Sequence, residues 1–166
     1  MLKRTHTDHT RNDLLHQLLK LTNRLMAPFS THLSHRYRIS LNEFRMLMTI
    51  GRLGRSASHE LARLTGVNVM SVSRAVATLE RHGRIAITPD PANRRRKWLT
   101  LTAEGERLYQ IMSPQSERVA QYLFSELSEG EVAQLASIVE RLIGTLEAKD
   151  GEGRSRFIDA TRPEVE

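Results

Sequence analysis

The stretch NVMSVSRAVATLERHGRIAITPDPANRRRKWLTLT, residues 68–102, decides the fold. Val69, Val72, Val76 and Leu79 recur at i, i+3, i+7 and i+10, which is one face of a helix over 69–81. The other face carries Met70, Ser71, Ser73, Arg74, Ala77, Thr78 and Arg81, small and polar groups with long cations. Asn68 can cap the first turn and Gly83 stops the helix. Ile85 and Ile87 then alternate with Arg84, Ala86 and Thr88, the period of a strand. Pro89-Asp90-Pro91-Ala92-Asn93 is turn chemistry, and Trp98-Leu99-Thr100-Leu101-Thr102 returns as a second strand. Arg94-Arg95-Arg96-Lys97 therefore sits at the tip of a hairpin or on its returning strand.

Upstream, Ser40-Leu41-Asn42-Glu43 is a capping-box pattern. It predicts a helix with Phe44, Leu47, Met48 and Ile50 inward, ended by Gly51 and Gly54. SASHELARLTG, residues 56–66, predicts a short helix with Leu61, Ala62 and Leu64 apolar, broken by Gly66. Residues 10–35 read as a leucine-rich helix kinked at Pro28, with more apolar side chains than one face of a lone helix can hide. Downstream, Leu108, Ile111, Met112, Val119, Leu123 and Leu127 predict a long helix bent at Pro114. Ser128-Glu129-Gly130-Glu131 is another capping box, opening an amphipathic helix through Leu146. Residues 150–166 are polar and are expected to fray.

Charge sharpens the picture. The net charge is +6, but it is unevenly spread. Residues 51–100 hold ten basic and three acidic side chains, whereas 101–166 hold seven and thirteen. A positive middle points to a polyanion. The basic residues flank turns and strands rather than one amphipathic helix, which disfavours a membrane surface. The polar N-terminus and the lack of a long apolar run predict a soluble, cytoplasmic protein. With no cysteine, a disulfide framework, a thiol nucleophile, a thiolate zinc site and thiol-based redox sensing are excluded.

Helix, helix, turn, helix and basic hairpin, in that order, make a winged helix-turn-helix: a mainly α fold with a small β-hairpin wing. The second helix of such a motif enters the major groove, where base edges present distinguishable donor and acceptor patterns. Asn68, Met70, Ser71, Ser73, Arg74 and Thr78 are the candidate DNA-contacting residues there. Arg94, Arg95, Arg96 and Lys97 are the candidates for phosphate and minor-groove contact. The ordinary readings are a solvated charge run on the hairpin and an ion pair of Arg74 with Glu60 or Glu80. Trp98 reads as strand packing or cover for the wing base.

Glu60-Leu61-Ala62, Gly66, Ser71-Val72-Ser73-Arg74, Leu79-Glu80, Gly83, Pro89-Asp90-Pro91, Arg94-Arg95 and Leu101-Thr102-x-x-Gly105 resemble, in this order and spacing, the MarR family of regulators. The resemblance implies a homodimer whose N- and C-terminal helices form a dimerisation base. It implies two winged lobes on a pseudo-palindromic double-stranded operator, and repression relieved by a small ligand such as an aromatic acid. On that reading residues 1–36 are the N-terminal segment and dimerisation helix, and 37–102 the DNA-binding lobe. Residues 103–149 are the C-terminal dimerisation helices and 150–166 a flexible tail. One departure stands out: the family usually has an Asp before the wing arginine pair, and this chain has Asn93. Asn93 can accept a hydrogen bond but cannot make an ion pair.

His16, Asn23 and Arg45 are the candidate effector-binding residues, Arg45 because an anionic ligand needs a cation. His6 with His9, and His32 with His35, have a spacing that can ligate, but no carboxylate set joins either pair. No metal and no cofactor are expected. No Gly-x-Ser-x-Gly turn, phosphate loop or dinucleotide fingerprint is present, so no catalytic residue is expected. The rival to DNA binding is a winged-helix module that docks on protein, its acidic C-terminal part meeting a basic partner.

Overall fold

The computed structural model describes residues 6–163, with side chains for all of these except 6–9, 27, 28, 30–32, 34 and 94. The order is α1 (His6–Tyr37), α2 (Leu41–Leu53), α3 (Ser58–Thr65), α4 (Val69–Arg81), β1 (Ile85–Asp90), β2 (Asn93–Leu101), α5 (Ala103–Leu123), α6 (Glu129–Glu147) and α7 (Arg156–Thr161). The chain divides into two compact units, Met1–Pro114 and Gln115–Glu166. The fold is mainly α with one antiparallel hairpin.

In the first unit the expected capping chemistry is in place. Ser40 Oγ accepts from Glu43 N while Glu43 Oε2 accepts from Ser40 N, closing the box that opens α2. Asn68 Oδ1 accepts from Ser71 N at 2.9 Å and starts α4. Each such cap is worth about 1 kcal/mol. Met46, Leu47 and Ile50 of α2, Leu61 of α3, and Val72, Val76 and Leu79 of α4 close on Ile85 and Leu99 of the hairpin. Leu108 and Met112 of α5 complete the core.

Two inward faces differ from expectation. Val69 is 67% exposed and Ala75 takes the buried place. Val69 lies within about 20° of the face of Val76, but it is the first residue of α4, at the helix end that the core does not cover. In α2 Met46 is fully buried, whereas Phe44 and Met48 lie at the core's margin. Gly51 does not end α2. It sits inside the helix because a Cβ there would collide with the Tyr109 ring. Gly54, at φ 77°, forms the C-cap.

The first helix is longer than expected, and the kink expected at Pro28 does not interrupt it. Its C-terminal part joins the core through Leu33, and Phe29 meets Phe44 with ring centroids 5.6 Å apart. Its N-terminal half leaves Leu14, Leu15, Leu18, Leu19 and Leu21 exposed. The chain leaves α1 through Arg38, which has a positive φ of 49°. Arg84 steadies that turn by donating from Nη2 to Tyr37 O and from Nη1 to Arg38 O.

The hairpin pairs Ile85 with Leu101, Ala86 with Thr100, Ile87 with Leu99, Thr88 with Trp98 and Pro89 with Lys97, then Asp90 with Asn93. Pro91-Ala92 makes the turn, and Asp90 Oδ1 accepts from Ala92 N at 2.9 Å. Between the last two pairs the returning strand carries Arg94–Arg96 as extra residues. Pro89, lacking an N–H, sits where the ladder breaks, a usual place for a bulge. A third short piece pairs alongside: Ser56 and Leu99 exchange backbone bonds of 3.0 and 2.8 Å.

In the second unit α6 opens on the expected box at Ser128, with Glu131 closing it. None of its residues is buried, and Leu135, Ile138, Val139, Leu142, Ile143 and Leu146 all face outward. Pro114 lies within α5, which nevertheless continues to Leu123. Residues 150–162, expected from their polarity to fray, carry local structure. Asp150 Oδ1 accepts from Glu152 N and Arg154 N, and Oδ2 takes Arg154 Nε at 2.8 Å. The Arg154 hydrogen bond holds the Asp150 carboxyl below its usual range. Lys149 bridges Ser155, and Ser155 caps α7. Local polar closure orders this segment, and apolar periodicity does not report it.

Candidate nucleic-acid interface

The helix-turn-helix presents α4 by its capped N-terminus. With Val72, Ala75, Val76 and Leu79 buried, 3.6-residue geometry turns Met70, Ser73 and Arg74 to solvent. Met70 is 67% exposed. Among the described residues no ion pair holds Arg74, so the pairing with Glu60 or Glu80 is not formed. Asn68 spends its side-chain oxygen on the cap, which leaves its amide N–H groups for other acceptors. Ser71 and Thr78 are half-buried. They line a shallow groove with Ser40, Asn42, Glu43, Arg74 and Ala75, on the side where α2 begins. Thr78 Oγ1 donates back to Arg74 O at 3.0 Å.

The four cations of the wing divide. They lie on the returning strand, not at the tip, because β2 already begins at Asn93. Arg95 and Lys97 are exposed. Arg96 turns the other way: its Nη2 meets Glu60 Oε1 at 2.7 Å, and its guanidinium lies 3.9 Å from the Trp98 ring centroid. Its Nε is buried and meets no hydrogen-bond acceptor among the described residues. The sequence reading placed Arg96 with the outward cations, yet the glutamate and the indole hold it against the lobe. For Arg94 the backbone lies in β2 and its side chain is outside those described. Asn93 Oδ1 accepts from Arg95 N at 3.1 Å, a bond within the wing arm rather than an ion pair.

The sequence offers Glu60 as part of a family motif or as a partner of Arg74, and gives no role to Arg55 and only a place in the strand alternation to Arg84. Glu60 is the third residue of α3, so its Oε2 reaches back to Ala57 N at 2.9 Å and to Ser56 Oγ at 3.2 Å. The Ala57 N–H bond, helped by Ser56 and Arg96, holds its carboxyl below the usual value. Arg55 lies 4.4 Å from the Trp98 centroid. The available signal was an acidic residue three places after a helix start, matched to an Arg two places before the only tryptophan. Trp98, read from the sequence as strand packing or wing-base cover, lies between the guanidinium groups of Arg55 and Arg96.

Of the effector candidates, His16 and Asn23 lie exposed on α1. Arg45 is engaged within the lobe: Nη1 donates to Asn42 Oδ1 at 3.1 Å and Nη2 lies 3.4 Å from Met26 Sδ. His6, His9 and His32 have no described side chains, so both histidine pairs fall outside what is described. Among the described residues no group of three or more His, Asp or Glu stands together as a metal site. No described helix is long and apolar enough to cross a membrane.

Residues 39–97 match the profile of the MarR family. The HTH-type transcriptional repressor NicR of Pseudomonas putida is 25% identical over 101 residues, 61% of this chain and 64% of that protein. The chain thus spans less than two thirds of that relative's length. Among solved structures, that of BpsR from Bordetella bronchiseptica, whose DNA binding is regulated by 6-hydroxynicotinic acid, superposes with a TM-score of 0.67 at 22% identity. It covers 78% of this chain and 98% of that one. A putative MarR family regulator of Listeria monocytogenes, solved with a 26mer DNA, gives a TM-score of 0.76 at 16% identity, over 92% and 97% of the two chains. At these identities the solved structures establish the shared fold.

Proposed function

We propose, from the match of the winged lobe over residues 39–97 to the MarR family model, that this chain is a homodimeric, sequence-specific regulator of transcription on double-stranded DNA. It is a cytoplasmic repressor released by a small aromatic acid. The observation that carries the reading is one polar helix face beside one cationic strand: Met70, Ser73 and Arg74 on α4, Arg95 and Lys97 on β2. Arg74 and Ser73 meet base edges in the major groove, with Asn68, Ser71 and Thr78 at the rim. Arg95 and Lys97 track phosphates and the minor groove.

Homodimerisation is supported by apolar surface that each unit leaves uncovered, on the first half of α1 and along all of α6. A surface of that extent marks an interface. Two-fold symmetry then presents two α4 helices to a pseudo-palindromic operator. Release follows if the acid binds preferentially to a conformation that fits DNA poorly. Ligand regulation of BpsR by 6-hydroxynicotinic acid supports trying that compound and other aromatic carboxylates first.

The test is fluorescence anisotropy with a labelled duplex from the chain's own upstream region, against a scrambled duplex, at low and near-physiological salt. Preference that survives added salt is expected. Arg74→Ala is expected to weaken the native duplex about tenfold while leaving thermal stability unchanged. Equal binding of both duplexes that collapses with salt would reduce the reading to a phosphate-tracking patch. No binding at either salt would favour docking on protein instead.

A further inference from the structure

Three bonds tie the wing to the start of α3. Two are the backbone pair between Ser56 and Leu99, at 3.0 and 2.8 Å. The third is the Glu60–Arg96 ion pair at 2.7 Å. Glu60 divides its oxygens: Oε2 caps α3 through Ala57 N and Ser56 Oγ, and Oε1 holds Arg96. Arg96 in turn lies over Trp98, two residues on along the same face of β2. The ion pair is about a third exposed on each side, so solvent screens it only partly. The strand here is otherwise poorly held, because Arg94–Arg96 have no partners on β1.

We infer that Glu60 is a positioning residue for the wing: by holding Arg96 on Trp98 it fixes the rotation of the unpaired arm, and so keeps Arg95 turned to solvent beside the paired Lys97. Arg96 and Trp98 share one face of β2, while Arg95 and Lys97 lie on the face that Leu99 carries into the core nearer the wing base; out on the arm, beyond that core, both are exposed. The carboxylate that starts the helix-turn-helix thereby also aims the wing. Arg96 works through the lobe rather than on the polyanion. The inference rests on the DNA-binding reading for its consequence, but the clamp itself can be read without DNA.

Trp98 makes that possible, because it is the only tryptophan. Glu60→Gln is nearly isosteric: the amide oxygen can keep the Ala57 cap, but the group no longer attracts Arg96. In the full chain without DNA, Glu60→Gln and Arg96→Gln should each shift Trp98 emission and raise its quenching by acrylamide. Circular dichroism should show that the helices persist. Unaltered quenching in both variants would overturn the clamp. With the native duplex, Glu60→Gln should weaken binding severalfold although residue 60 carries no contact to DNA. The cycle with Arg95→Ala should be non-additive, Arg95→Ala costing less once the arm is loose. Affinity unchanged or tightened by Glu60→Gln, with weakening by Arg96→Gln, would overturn the inference and make Arg96 a DNA contact. Strict additivity, with both variants melting lower, would overturn it in favour of a structural role alone. If wild type binds no duplex while quenching responds as expected, the regulator reading fails and the clamp stands.

Discussion

Asn68→Asp should raise stability and lower DNA affinity together. The side chain at 68 is exposed, and its Oδ1 accepts from Ser71 N at 2.9 Å at the N-terminus of α4. An aspartate keeps that acceptor with the same shape. It adds a negative charge at the positive end of the helix dipole, worth about 0.3–1 kcal/mol. No acidic residue now stands in the first turn of α4, so the gain is not already taken. For a chain of this size such a gain corresponds to a rise of about 1–3 °C in Tm. The same charge faces the duplex if α4 enters the major groove. At about 8 Å in water each phosphate repels it by about 0.5 kcal/mol. Two or three phosphates within the roughly 10 Å screening length give about 1–1.5 kcal/mol, a weakening of nearly tenfold that shrinks with salt. Differential scanning fluorimetry reads the first effect and anisotropy at two salt concentrations the second. Asn68→Ala separates the causes: it removes the cap and should cost about 1 kcal/mol of stability. A rise in Tm with unchanged affinity at low salt would refute the placement of this helix end against DNA. A fall in Tm for Asn68→Asp would refute the cap argument.

Leu142→Glu, on the outward apolar face of α6, should convert a dimer to a monomer by light scattering and abolish specific duplex binding; a dimer unchanged in mass would remove α6 from the interface. Gly105→Ala should destabilise by at least the 1–3 kcal/mol typical of overpacking, because the new Cβ would run into the Arg84 carbonyl oxygen; an unchanged Tm would mean that α5 can shift away freely. Acidification should release the wing. Glu60 has its pKa lowered from 4.5, so its cap and ion pair contribute fully above 4.5 and are lost only as pH falls below that, through the depressed value. Trp98 quenching followed from pH 7 downward should hold steady to about pH 4.5 and rise beyond it, and a transition near pH 6 would point to a histidine instead.

The elements that were legible in the sequence are those with strong local signals. Residues 69–81 form a helix as read, because Asn68 supplies a cap, Gly83 a stop, and Val72, Val76 and Leu79 a face. The hairpin was legible from the alternation of Ile85 and Ile87 and from its proline-bounded turn. What stayed hidden was set by distant partners. The spacing of Arg96 to Trp98 is a local signal, but only the position of α3 shows that Arg96, and not Arg95, meets Glu60. Gly51 looks like a helix end until Tyr109, 58 residues later, proves to occupy the place of its Cβ. The local structure of the C-terminal segment was not legible for another reason. Its order comes from one aspartate collecting three donors, a polar device without hydrophobic periodicity.

Arg84 brings these strands of evidence to one place. It lies in the turn between α4 and the hairpin, where its guanidinium holds the last carbonyl of α1 and that of Arg38 just beyond, and stands 3.9 Å from the Glu43 carboxylate that closes the α2 cap. Its backbone oxygen accepts from Thr102 N at 3.2 Å, and Gly105 of α5 packs so closely on that oxygen that no side chain fits. Thr102 completes the contact by donating to Gly83 O at 2.6 Å and capping Gly105 N. The end of α1, the start of α2, the base of the wing and the start of α5 therefore share one residue. Close packing of this kind has discrete arrangements rather than a continuum. Arg84 thus packs where these four elements meet, and Thr102, the residue after β2, fastens the base of the hairpin to it.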